Sequence, residues 1–287
     1  MTYRTRELAG LAIAVASLAV LYHDVLVRLV DAWTNDGNYS HGFLIAPLAG
    51  YFAWERRDRL ARAVRGTSAL GLLVVAGSLA VLVVGILGSE LFLTRISLVG
   101  AIVGSVLFLF GWQVIRILTF PLGILLLMIP LPAIIFNQIT FPLQLLATRM
   151  AEVFLSVFGY PVLREGNVLH LASQSLNVVE ACSGIRSLLS LTFISLIYAH
   201  FFDNKPWMKI ALLLCVIPIA LFANAMRVTL TGIVSEIDPT LAEGIFHSLE
   251  GLVLFALDLV ALVAIHKLIN KIYSRTQHAK APVTVAS

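Results

Sequence analysis

The sequence predicts an all-α fold, a polytopic membrane helix bundle of about eight transmembrane helices with a short extracytoplasmic segment before the sixth. Composition is the first observation behind it. Apolar residues make up 59% of the 287 and charged residues only 13%, with a mean hydropathy of +0.94, too little polar surface to clothe a soluble globule of this length. The apolar residues fall in runs of about 17 to 22, enough to cross about 30 Å of hydrocarbon at 1.5 Å per residue. Lys and Arg also gather in alternate connections, as they do when loops are sorted across a membrane.

In chain order, the first span is Leu8 to Tyr22, extending toward Leu29. It has no small-residue cleavage site and further spans follow, so it reads as a retained helix rather than a removed signal. His41 to Trp54, Ala69 to Leu87, Ile96 to Trp112 and Ile115 to Ile129 come next. The second and fifth are short, and Tyr51, Trp54 and Trp112 with Arg56, Arg57 and Arg116 extend them to headgroup level. Pro130-Leu131-Pro132 then stops helical propagation. Ile134 to Phe158 keeps helical spacing while carrying Arg149 and Glu152, which suits an interfacial helix or a shallow membrane element. Pro161 to Val179 alternates, with Val168, His170 and Ala172 set against Leu169 and Leu171, the pattern of short extended strands. Gly184 to Phe202, Ile210 to Met226 and Ser248 to Ile265 complete the spans. Residues 1–274 form one membrane domain on this reading, and 275–287 a polar, disordered cytoplasmic tail.

Placing the N-terminus in the cytoplasm puts fourteen of the 20 Lys and Arg inside, among them the Arg56 to Arg65 cluster. Arg28, Arg95, Arg149, Arg164, Arg186 and Arg227 stay outside. An N-in, C-in arrangement in a bacterial plasma (inner) membrane follows. The basic balance is then a matter of orientation, and no aromatic-interleaved basic stripe points to nucleic acid.

The 2 cysteines offer neither a disulfide framework nor metal-type spacing, and no metal or cofactor is expected. Cys215 lies in the apolar run Leu212 to Val216 and reads as packing. Cys182 lies in Val179-Glu180-Ala181-Cys182-Ser183-Gly184-Ile185-Arg186, at the outer N-terminal end of the sixth helix. There the helix dipole favours a thiolate, and Arg186, four residues on, adds to that bias. A cysteine nucleophile also needs a proton donor and acceptor and a partner for the developing oxyanion. Topology leaves His23, His41, His170 and His247 on its side of the membrane. His247 opens the eighth span, with Glu250 one turn deeper and able to orient its imidazole. His41 is a rival base, or a cap for the second helix. Asn224-Ala225-Met226-Arg227 places an amide and a guanidinium at the outer edge of the seventh span. Cys182, Arg227 and His247 thus fall at one depth on three consecutive spans, with Glu180, Ser183, Arg186, Asn224, Glu250 and His41 in support.

The Glu-Ala-Cys-Ser-Gly-Ile-Arg block, the later Asn-x-x-Arg and the final membrane-edge histidine resemble the exosortases. Weaker N-terminal pieces agree: Tyr39-Ser40-His41-Gly42, and Trp54 with Glu55-Arg56-Arg57. The resemblance implies a bacterial cysteine transpeptidase that cuts the C-terminal sorting tail of exported proteins. Its partners would carry a Pro-Glu-Pro motif, a hydrophobic helix and a basic tail, and the acceptor would be water or a group on a membrane lipid or glycan. Under it Cys182 is the nucleophile, Arg227 the transition-state stabiliser and His247 the acid/base. Some longer exosortases carry a further C-terminal domain that this chain does not show. The rival class is a transporter or a polysaccharide-export or assembly component, which calls for polar or broken helices near the midplane. Asp258 and Pro218 are the residues of that kind.

Overall fold

The computed structural model describes the backbone of residues 3–64, 66–178, 184–238 and 245–280, and the side chains of 9–64, 66–178, 184–238 and 250–275. The described chain is almost wholly helical, with one small sheet. Among the described residues five helices are long and apolar enough to cross a membrane, or six if one bent pair counts as a single span. Chain contacts divide it into two compact units, Met1–Phe136 and Asn137–Ser287.

The first unit starts with α1 (Tyr3–Leu21) and α2 (His23–Asn35), the bent pair, which meet at 69°. α2 is amphipathic. It buries Val25, Leu29 and Trp33 on one face, and the Trp33 indole N–H donates to the Met128 carbonyl at 2.9 Å. α3 (Gly42–Glu55) and the short α4 (Arg57–Arg62) follow, then α5 (Ala69–Leu87) and α6 (Leu91–Ile124) with a 3-10 turn at Leu125–Met128. α5 and the start of α6 pack antiparallel through small residues. A Cβ at Gly71 would meet the Phe108 backbone, at Gly104 Val75, at Gly100 Ser78 and at Gly85 Thr94. This is the close backbone approach that small residues allow between membrane helices.

α6 is two arms. Gly111 has φ +82° and ψ −177°, and a Cβ there would come 2.4 Å from the Gly66 carbonyl oxygen. Ile96 and Val103 line the same cavity as Ile115 and Leu126. In a straight helix Ile96 and Leu126 would stand about 45 Å apart, so the chain reverses at Gly111. The two runs expected on either side of Trp112 are these two arms.

The second unit contains most of α7 (Ala133–Val157), which follows the run expected from Ile134 to Phe158. Three short antiparallel strands follow in the order β1-β2-β3: Leu163–Glu165, Val168–His170 and Ser175–Asn177. Leu169 pairs with both Arg164 and Leu176. Leu169 and Leu171 turn inward with Val178 onto Ala151 and Leu155 of α7 and Val228 of the helix that follows. The alternation in the sequence therefore marks one buried edge of the sheet. Salt-bridged Arg164 and Glu152 (2.9 Å) tie β1 to α7.

α8 (Ile185–Phe202), α9 (Pro206–Ile237) and α10 (Ile245–Lys280) complete the unit. Leu191 and Ala199 of α8, Met208, Leu212 and Val216 of α9 and Leu262 of α10 form their shared core. Pro206 begins α9 at the position where a missing N–H costs nothing.

Candidate active site

α9 is the beam on which the site is assembled. Its 32 residues span about 48 Å, longer than a hydrocarbon core, and Arg227 lies about 32 Å from its start, about the thickness of such a core. Arg227 is half-buried, and Asn224, one turn before it, is only 4% exposed. Thr229 turns its hydroxyl back onto the Ala225 carbonyl at 2.7 Å, so the backbone around Arg227 stays helical and internally satisfied.

Two contacts bring neighbouring elements to this stretch. Gly184 caps α8 with φ +76°, in the left-handed region that glycine adopts most readily. A Cβ on Gly184 would stand 2.9 Å from Asn224 Cβ, so the chain just before α8 lies directly on α9. On the other side, Val178 packs in one cluster with Val228. Val178, before the cysteine motif, and Gly184, within it, thus lie beside α9 at positions on either side of Arg227 in sequence. Cys182, Glu180 and Ser183 themselves lie outside the described residues.

α10 reaches the same stretch. A Cβ on Gly251 would lie 3.8 Å from the Arg227 guanidinium, ordinary contact across a small-residue gap. Glu250 is 7% exposed and accepts a hydrogen bond from the Thr231 hydroxyl at 3.1 Å. The Arg227 charge also acts on its carboxylate. Glu250 therefore faces α9. The expectation that it also orients His247 falls on a side chain outside the described residues; His247 itself occupies the first turn of α10, one turn before Gly251.

The remaining candidates separate. Arg186 is exposed in the first turn of α8. His41 belongs to the first unit. It stands at the N-cap of α3 without a side-chain capping bond, and its ring hydrogen-bonds the Leu127 backbone instead. His170 pairs with Ser175 at 2.7 Å across β2 and β3 and with Glu165 at 3.4 Å, which makes it a sheet residue. Cys215 is half-buried within α9. Among the described residues no group of three or more His, Cys, Asp or Glu is placed to hold a metal.

The family model described as Transmembrane exosortase (Exosortase_EpsH) matches residues 33–264. The chain belongs to the transmembrane exosortase family. The match runs from α2 to α10 and takes in the cysteine motif, Arg227 and His247, so the exosortase assignment covers every element that builds the site. Searches of the curated proteins and of the solved structures returned no match.

The structure also holds a polar group that sequence reasoning missed. Between α8 and α9, Asp203 accepts from the His266 ring (Nε2 at 3.0 Å), the Lys205 backbone N–H at 2.7 Å and Asn270 Nδ2 at 3.2 Å. Tyr198 Oη lies 2.8 Å from His266 Nδ1, and Lys205 Nζ donates to Asn270 Oδ1 at 2.8 Å. Burial by itself raises the Asp203 carboxyl, but the hydrogen bonds from His266, Lys205 and Asn270 outweigh it and hold it below the usual carboxylate range. The only signal in the sequence was His266 and Asn270 at i and i+4 on one helix face; their partner is 63 residues away from His266.

Proposed function

We propose that this exosortase is a membrane cysteine transpeptidase or protease that cleaves the C-terminal sorting tail of exported proteins on the extracytoplasmic face. The observation that supports the reading is the convergence near Arg227: Val178 shares a buried cluster with Val228 of α9, a Cβ on Gly184 would meet Asn224, and one on Gly251, one turn beyond His247, would lie 3.8 Å from the guanidinium. In the proposed reaction the Cys182 thiolate attacks the carbonyl of the scissile bond, and the charge moves to the carbonyl oxygen. Arg227 stabilises that oxyanion by charge-assisted hydrogen bonds. Collapse re-forms the carbonyl, breaks the C–N bond and leaves a thioester on Cys182, while protonated His247 gives its proton to the departing amine. Water, or an amine or hydroxyl on a lipid or glycan, then attacks the thioester. His247 takes the proton, and the thiolate leaves.

The substrate reading follows from the location. An exported protein tethered by its own tail helix lies beside the bundle in the same bilayer, so its cleavage region is held at the membrane edge, where Arg227 stands. Asn224 orients the guanidinium or the substrate backbone, and Glu250 holds the other side of Arg227. The test is processing of a tagged substrate with a C-terminal Pro-Glu-Pro motif, hydrophobic helix and basic tail, with wild type compared against Cys182→Ala at matched membrane expression. Loss of cleavage is expected. Unchanged cleavage removes Cys182 as nucleophile and turns the reading toward transport or assembly.

A further inference from the structure

In the first unit, α1, α2, α3 and α6 surround a cavity of about 430 Å³, lined by apolar side chains apart from Ser105. Leu11 and Val15, 39% and 58% exposed, leave it open on the α1 side. Its size falls within the range of sites that take small organic ligands. The α6 wall is a stripe at helical spacing, Leu98, Ile102, Ser105 and Leu109, and the position that continues this stripe toward the start of α6 is Arg95.

Arg95 is only 7% exposed. Its Nη2 donates to the Arg28 carbonyl at 3.2 Å, while its Nε has no hydrogen-bond partner among the described residues. No carboxylate pairs with it there: Glu90, at the N-cap of α6, acts on it only at longer range, as does the Tyr39 hydroxyl. The charge that acts on it most strongly is another cation. The Arg28 guanidinium, exposed on α2 beside the cavity-lining Leu29, repels that of Arg95. A buried guanidinium without an anion, next to a second guanidinium, is an expensive arrangement in a membrane protein. A phosphate relieves it, because arginine binds phosphate oxygens in a bidentate fork. The apolar cavity, which begins at Leu98 one turn on from Arg95, fits the chain that such a phosphate would carry.

We propose that this unit binds an anionic phospholipid, with its phosphate held by Arg95 and Arg28 and an acyl chain lying in the cavity among α1, α2, α3 and α6. The site stands independently of the cysteine chemistry. Arg95 is the buried contact that fixes the phosphate, Arg28 supplies exposed charge at the mouth, and the stripe from Leu98 to Leu109 holds the chain.

The test is native mass spectrometry of the purified full-length chain in mild detergent, with phosphatidylglycerol, phosphatidylcholine or an isoprenoid phosphate added in parallel. Selective retention of phosphatidylglycerol is expected. Arg95→Gln should cut it about tenfold, the loss of one charge-assisted contact, and Arg28→Gln should cut it by a smaller factor. Ser105→Phe keeps both charges but fills the cavity, so it should also lose the adduct. Arg28→Gln and Ser105→Phe keep the test open if Arg95→Gln does not fold. Equal retention of the neutral lipid, or unchanged retention in both Arg28→Gln and Ser105→Phe, overturns the site. Preference for the isoprenoid phosphate overturns the phospholipid assignment.

Discussion

The two ends of α9 are built on opposite rules. Where α8 turns into α9, Asp203, His266, Asn270, Lys205 and Tyr198 form a closed network in which the buried carboxylate has several donors. Some 30 Å along the same helix, Asn224 and Arg227 meet their neighbours through glycines, Gly184 and Gly251, where a side chain would fill the space. A saturated network holds three helices in one arrangement. Beside Arg227, Gly251 instead leaves space that a side chain would fill. On the proposed function one end serves stability and the other serves chemistry, so substitutions at the two ends should have different readouts.

The largest expected effect is at the open end. Arg227→Ala should lower substrate processing by about 10²- to 10³-fold, the usual consequence of losing an oxyanion donor, with little change in the thermal midpoint of the purified protein. A matched loss of midpoint would make Arg227 a structural residue and erase the contrast. Next is Asp203→Ala, which strands the donors of His266, Asn270 and Lys205. It should cost about 2 to 3 kcal/mol, seen as a lower midpoint in detergent, while the processing rate per folded molecule is kept. Gly184→Ala combines a left-handed φ with a clash at Asn224 and should cost about 1 to 2 kcal/mol. Asn224→Ala in the same chain removes the Cγ at 3.0 Å but keeps the Cβ at 2.9 Å, and the backbone strain stays as well, so little rescue is the expected outcome.

The smallest effect is a pH dependence. The Asp203 carboxyl is held below its usual range in the folded chain, so its contribution is fully present above the ordinary carboxylate value and is lost as pH falls through the lower folded value. Thermal midpoints between about pH 5 and pH 3 should therefore fall more in wild type than in Asp203→Asn. Parallel curves would show that the network adds nothing through Asp203.

Much of the helical plan was legible because hydropathy and helix length report on the same bilayer. α5 coincides with the run Ala69 to Leu87, and the break in α6 falls at Gly111, one residue before the end of the run Ile96 to Trp112. The alternation from Val168 to Ala172 marked the sheet, because one edge of it packs on α7 and α9. α2 was not legible as a separate helix. Its charges, Asp24, Arg28 and Asp31, interrupt the hydropathy, and its order lies in the spacing of Val25, Leu29 and Trp33 rather than in a run. Arg227 could be singled out from one residue type at the end of an apolar run. The glycines beside it and Asn224 could not, because the approach of Gly184 to Asn224 spans 40 positions of chain and only folding reveals it. The same holds for Asp203 and His266, which sit in different segments and look unremarkable separately.

The reversal at Gly111 also bears on how the protein enters its membrane. The Gly66 and Ser68 N–H groups bond the Phe110 and Phe108 carbonyls, so the chain leading into α5 is stitched to the tip of the hairpin. With a single residue at the bend there is no soluble loop to wait outside while one arm is threaded. Joint insertion of α5 and both arms of α6 is the expected consequence, and a reporter fused at Gly111 should then interrupt delivery of all three.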